Sequence, residues 1–407
     1  VGDRRMDCER LISGRARGIE ASGIRRIFTL GSTLDDPNNL SIGQPDFPVP
    51  ETIKRAAIEA IEDNRNGYTL TGGIEPLRSG IARALERDVG WRIDGFGDDQ
   101  GDASLLVTSG TSGAIVLAFQ SLLDPGDEVI IPDPYFIMYP PAAELCGGRA
   151  VRCDTYPDFR MTAERVEPLI TERTKAVLFN SPSNPAGVVS TRQECADLLD
   201  LCRRRGVLLI SDEIYDEFTY SDAASDREVG TDAGGNARAR CPSPARLDGA
   251  SESVLLVRGF GKTYGVTGWR LGYASGPSAL IEQMAKIQQY TFVCAPSVVQ
   301  WGAVAALDAD MSAMVNEYER RRDMVVDRLG EVTEVARPGG AFYAFVRVPD
   351  RLGLTAGQFV ERCIDRKTLV IPGSAFSAWD THIRLSFATD PFKLERGLDV
   401  LVDLMGG

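Results

Sequence analysis

A chain of 407 residues, 43% hydrophobic and 25% charged, has the composition of a globular protein large enough for two domains. Its formal net charge of −13 repels phosphate backbones and anionic membranes, so neither nucleic acid nor membrane is an expected partner. The eight cysteines are scattered singly with no CxxC pair, which fits reduced thiols in a cytoplasmic enzyme better than a disulfide framework.

Segment 1–20 is rich in Arg, Asp and Glu and lacks the apolar core of a secretory signal; no apolar run approaches a membrane span. From about residue 100, short apolar runs alternate with helical stretches, the signature of an α/β layer. Strands are expected at 105–109, 128–132, 150–153, 175–180, 207–211, 254–258 and 271–275. Several are continuously apolar and β-branched, as strands covered on both faces are. Thr191-Arg-Gln-Glu194 reads as a capping box that opens a helix running to about 205. These elements predict an α/β fold whose large domain, 49–295, carries a seven-stranded, mostly parallel sheet. Within it, 221–253 is mostly Gly, Ala, Ser, Asp, Arg and Pro with little to bury, and is expected to be a solvated surface insertion, with a lid or partner-binding element as the alternative. A long helical pattern runs from 296 to about 329, followed by a strand-like 340–346, a helix near 356–366 and a second strand around Ile383. A smaller α+β domain is therefore expected from 1–48 and 296–407.

The single histidine, His382, lies in an alternating strand-like stretch and is expected to be structural. A Ser-His-Asp triad would have to run through it, and a zinc site would lack its commonest nitrogen ligand, so no metal is expected. The informative stretch is Gly259-Phe-Gly-Lys262-Thr-Tyr-Gly-Val-Thr-Gly-Trp-Arg270, just after a strand. Gly261-Lys262-Thr263 mimics the end of a phosphate-binding P-loop, but that motif needs another glycine where Leu256 stands inside the strand. Lys262 reads instead as a Schiff-base nucleophile, since a lysine amine condenses with an aldehyde once its surroundings favour the uncharged form.

Three features accompany it. Leu105-Leu-Val-Thr-Ser-Gly-Thr-Ser-Gly-Ala114 is a strand, a small-residue turn and a helix start, a ready phosphate site. Ile210-Ser-Asp-Glu-Ile-Tyr215 places an acid and a phenol past the carboxyl end of a buried strand, where ligands of open α/β sheets collect. Ser181-Pro-Ser-Asn-Pro185 ends another strand, its prolines fixing where the Asn184 amide points.

With these motifs in this order, the chain resembles the class I/II aminotransferases, of the fold-type I pyridoxal-phosphate enzymes, from about Arg17 to its end. The resemblance also includes Ser41-Ile-Gly-Gln-Pro-Asp-Phe47, Tyr68-Thr69, Pro134-Tyr-Phe136, Thr267-Gly-Trp-Arg270 and Ile383-Arg-Leu-Ser-Phe387. It implies a pyridoxal 5′-phosphate cofactor held as a Schiff base on Lys262, which also moves the substrate α-proton. It further implies Asp212 on the pyridine nitrogen, Tyr215 and Asn184 on the ring hydroxyl, and Phe136 against the ring face. The phosphate would lie on Gly110, Thr111 and Ser112 with Arg270, and Tyr68 would reach the phosphate of a neighbouring subunit in a homodimer with shared sites. Arg384 would grip the substrate α-carboxylate, helped by the Gly43 backbone. Gly261 departs from the Ser that many relatives have, and the insertion lengthens the Asp212–Lys262 separation.

The implied reaction moves an amino group from an α-amino acid to a 2-oxo acid. A carbon–sulfur β-lyase on the same scaffold is the alternative, and a non-catalytic ligand sensor a more distant one. Arg25 and Arg26 are candidates for meeting an acidic substrate side chain.

Overall fold

The structure is a computed structural model, describing residues 8–19, 33–95, 101–226, 229–231 and 237–406. Helices Glu51–Glu62 (α1) and Glu75–Val89 (α2) precede the large sheet. Its strands are Ser104–Thr108 (β1), Glu128–Asp133 (β2), Arg149–Asp154 (β3), Thr174–Asn180 (β4), Leu208–Asp212 (β5), Val254–Gly259 (β6) and Gly272–Gly276 (β7), each within one residue of its predicted span. Their order is β1-β7-β6-β5-β4-β2-β3. Strands β2 to β6 are parallel where they pair, and β7 runs antiparallel to both its neighbours.

Alternation along each strand serves two cores. Leu105, Val107, Val177, Phe179 and Leu256 face α2 and Arg192–Arg205 (α5), where Leu77, Ile81 and Leu198 lie. Leu106, Leu178, Ile210 and Leu255 face Gly110–Leu122 (α3), Tyr139–Leu145 (α4) and Ser278–Thr291 (α6). Burial on both faces is the physical reason that these strands read as unbroken apolar runs, each fully buried Leu, Val or Ile contributing about 1.5–3 kcal/mol. Helix α5 opens as its sequence predicts: Glu194 N–H donates to Thr191 Oγ1 (3.1 Å), and Thr191 N–H to Glu194 Oε2 (2.7 Å).

The long helix expected from 296 is two helices, Ser297–Ala306 (α7) and Ser312–Gly330 (α8). Ala303 and Ala306 of α7 are buried in the cluster that contains Ile53 and Leu77. Tyr318, Val325 and Leu329 of α8 belong to a different cluster, beneath a second sheet. A straight rod cannot serve both surfaces; the chain turns between them, and Asp310 Oδ1 restarts the helix by accepting from the backbone N–H and hydroxyl of Ser312. The second sheet holds Tyr343–Arg347 (β8), Ile371–Pro372 (β9) and His382–Ser386 (β10) in the antiparallel order β8-β10-β9. Ala356–Asp365 (α9) and Pro391–Gly406 (α10) pack in the same cluster. Asn38–Asn39 pairs with Thr368–Leu369, and Ser386 N–H donates to Leu40 O, which fixes the path into Gly43.

The insertion differs from the solvated loop expected. Its first part is a 3-10 turn, Ser221–Asp226, and the short pair Val229–Thr231 with Ala237–Ala239; residues 227–228 and 232–236 lie outside the described ones. The returning part is packed, with Cys241 to Ala245, Ala250 and Ser251 buried. Low apolar content misled the sequence reading, because this stretch is anchored by charge. Buried Arg258 on β6 donates to Glu213 Oε2 (3.1 and 2.8 Å) and to Asp88 Oδ2 (2.7 Å), and lies 3.2 Å from Asp216. Arg240 and Arg246 of the returning segment also pair with Asp88. The Ser243 hydroxyl donates to Glu213 Oε1 (2.6 Å). Three guanidiniums and three carboxylates thus balance behind the sheet edge. Removing one member leaves buried charge uncompensated, so Arg258→Ala is expected to destabilise the fold by about 3–5 kcal/mol, read as a lowered urea midpoint.

Candidate active site

Asn180 and Asp212 are register partners at the carboxyl ends of β4 and β5, and Asp212 is paired with Val257 on β6, five residues before Lys262. Parallel strands therefore bring an amide, a carboxylate and an amine to one edge. Of the residues that the resemblance assigns to cofactor and substrate α-carboxylate, all but Tyr68 line a single cavity of about 340 Å³ there. The second sheet supplies Tyr343 and Arg384 to its other wall.

Lys262 Nζ donates to Gly43 O at 2.6 Å and lies 5.9 Å from the ring centroids of Tyr215 and Phe342. Burial, reinforced by the nearby Arg384 and Arg270 guanidiniums, lowers its pKa to about 8. Burial raises the Asp212 carboxyl to about 6, against hydrogen bonds from Tyr139 and the Ile214 N–H that favour the carboxylate. The Tyr139 hydroxyl stands 2.8 Å from Asp212 Oδ2, and Asn180 Nδ2 donates to the Asp212 carbonyl at 2.8 Å.

Arg384, on the central strand of the second sheet, donates to Asn184 Oδ1 (3.2 Å) and Ser41 O (2.9 Å). Its guanidinium lies between the rings of Tyr343 (4.6 Å) and Phe376 (4.5 Å). Its Nε is buried without a hydrogen-bond partner, so the group retains donor capacity for an anion.

The turn at Gly110 opens α3 with φ +72°, a conformation that favours glycine, and an added Cβ there would stand 2.8 Å from Arg270 Nη2. Free N–H groups of a helix start with a guanidinium against them make a site for a phosphate-like dianion. Gly272 on β7 closes the back of this turn: its Cβ would meet Gly110 C at 2.8 Å and Thr111 N at 2.9 Å.

Tyr68 lies outside the cavity wall and is 88% exposed. Arg25 and Arg26 lie outside the described residues. The sequence reading missed Tyr139, Asn180 and Tyr343. Tyr139 stands one helical turn beyond Phe136, which could have flagged it; Tyr343 sits in an alternating apolar stretch that reads as plain core. His382 is structural in its surroundings, its ring stacked on Phe345 at 5.0 Å and its pKa pushed down by burial to about 4.

Residues 35–401 match the family described as Aminotransferase class I and II. Aspartate aminotransferase of Pyrococcus abyssi is 35% identical over 95% of this chain and 96% of its own length. Aromatic-amino-acid aminotransferase 2 of Thermococcus litoralis is 34% identical, again over 95% and 96%. The crystal structure of aspartate aminotransferase from Thermotoga maritima superposes with a TM-score of 0.86 at 33% identity, covering 97% of this chain and all of that one. The chain belongs to the class I and II aminotransferases and has their fold-type I architecture. It is an enzyme, a transaminase that moves an amino group between an amino acid and a 2-oxo acid, in a family that works with pyridoxal phosphate. These relatives carry transferase names, on the transfer side of the lyase alternative. Among the described residues, no helix is long and apolar enough to cross a membrane.

The close approach at Gly272 gives a test of the turn. Gly272→Ala is expected to keep the far-ultraviolet circular dichroism of the fold. It should weaken retention of pyridoxal phosphate, measured by equilibrium dialysis, by roughly tenfold.

Proposed function

We propose that Lys262 carries pyridoxal 5′-phosphate in this cavity and is both its covalent anchor and the acid–base group of amino transfer. The observation that carries the reading is a buried amine of lowered basicity with a carboxylate, two guanidiniums and a helix start converging on one cavity. The donor set fits the group: an anion cradle at Gly110, Thr111 and Ser112 with Arg270, an acid at Asp212, and a flat aromatic wall at Phe136. When bound, the cofactor supplies an aldehyde for nitrogen and an electron-accepting ring.

The chain's residues do the rest. Asp212, whose carboxylate form the Tyr139 hydroxyl favours, would pair with the cofactor's ring nitrogen and keep it protonated. Tyr215 and Asn184 hold the ring hydroxyl. Arg384 and the Gly43 backbone orient the substrate α-carboxylate, so that the α-hydrogen faces Lys262 Nζ. Once the substrate amine has displaced it from the cofactor, that nitrogen would be the free base that takes the α-proton and the acid that gives it back. Exposed Tyr68 serves the phosphate of a partner subunit in a homodimer, and exposed Leu70, Tyr290 and Phe292 supply apolar surface for such a contact. The protein works in the cytoplasm with reduced thiols, and its eight cysteines are unpaired. We divide the chain into a larger domain, 49–295, and a smaller one from 1–48 and 296–407, with α7 packed back onto the larger.

Lys262→Ala is expected to lose at least about a thousandfold in transaminase activity, with borohydride no longer fixing the cofactor to the chain. Substantial turnover in that variant, or a borohydride label mapped to another residue, removes the assignment. Attack on the aldehyde needs the uncharged amine. The second-order rate of reconstituting cofactor-free enzyme should therefore rise roughly tenfold per pH unit below the Lys262 pKa of about 8 and level off above it. A rate that falls with rising pH through this range contradicts the role given to Lys262.

A further inference from the structure

The hydroxyls of Tyr215 and Tyr343 stand 3.1 Å apart in the wall of the active-site cavity, both fully enclosed by protein. The rings meet edge to face, with centroids 5.8 Å apart at 87°. Tyr343 has little freedom. The face of its ring lies against the Arg384 guanidinium, and its hydroxyl is so close to Gly43 that a Cβ there would stand 2.8 Å from it.

We propose that Tyr343 is a positioning residue that donates its hydroxyl proton to Tyr215, setting how strongly Tyr215 holds the cofactor's ring oxygen while its ring carries Arg384. The inference rests on the pyridoxal phosphate reading of Lys262. A phenol has one proton to give. With that of Tyr215 committed to the ring oxygen, its own oxygen is left to accept, and Tyr343 is the hydroxyl within reach. Hydrogen bonds in a chain polarise one another, so a donor behind Tyr215 makes Tyr215 the better donor. Electron density drawn toward the ring oxygen's partner leaves the adjacent Lys262 nitrogen, once joined to the cofactor, less basic. One side chain thereby touches both ends of the substrate problem: proton affinity at the reacting nitrogen and placement of the carboxylate clamp.

Tyr343→Phe removes the hydroxyl and keeps the ring beneath Arg384. The other ionisable groups around Lys262 stay in place: Asp212 on β5, Tyr215 after it, Arg270 before β7 and Arg384 on β10. The test is a pH titration of the visible absorbance of cofactor-loaded wild type, Tyr343→Phe, Tyr215→Phe and the double variant. The midpoint in Tyr343→Phe is expected to rise by about a few tenths of a pH unit. Adding Tyr343→Phe to Tyr215→Phe is expected to produce no further rise, because the relay has already been cut. An unmoved midpoint in Tyr343→Phe, or an equal rise in both backgrounds, overturns the proposal. Failure of borohydride to fix the cofactor on Lys262 of the wild type overturns the cofactor reading instead, and this inference with it.

Discussion

The arrangement turns on a single electrostatic difficulty: the Lys262 amine and the Arg384 guanidinium are enclosed with one counter-charge, Asp212, while a second guanidinium, Arg270, stands at the exposed rim of the same cavity. Bringing like charges together out of water is costly, and the protein lowers that cost by loosening the Lys262 proton and surrounding Arg384 with aromatic faces and carbonyl oxygen. The residual positive potential is what an anionic ligand meets. In a chain whose net charge is −13, such a pocket is a local inversion of sign, and low-dielectric walls concentrate its field on carboxylates and phosphates.

The fold supplies the stiffness that this requires. Parallel strands end together, so Asn180, Asp212 and the approach to Lys262 share one edge, while antiparallel β7 returns behind the Gly110 turn with a glycine where any side chain would intrude. Behind that edge, the carboxylate of Glu213 is tied to Arg258 and Ser243, and its backbone is continuous with Asp212. The returning half of the insertion thus braces the roots of two strands that carry the chemistry.

Much of this was legible in the sequence, for identifiable reasons. Strands buried on both faces leave unbroken β-branched runs, and small-residue turns with a lysine, an acid and an amide at strand ends mark where a ligand sits; these gave the sheet and most of the cavity wall. Other features depend on contacts that no local pattern encodes. The break between α7 and α8 follows from two packing surfaces, and both sides of it are helical in composition. The packed return of the insertion relies on ion pairs with Asp88, distant in the chain, where a reading based on apolar content sees only solvent. Tyr139 and Tyr343 look like core aromatics until the fold shows what their hydroxyls face.

The lone imidazole of His382 carries a consequence for measurement. Sealed among Tyr156, Phe159 and Phe345 and neutral well below physiological acidity, it takes up no protons as the solution passes through the neutral range. Most enzymes of this size blur that interval with surface imidazoles. Here no imidazole contributes to that background, and calorimetric or indicator-dye proton counts taken between mild acid and neutrality are free of the usual histidine signal.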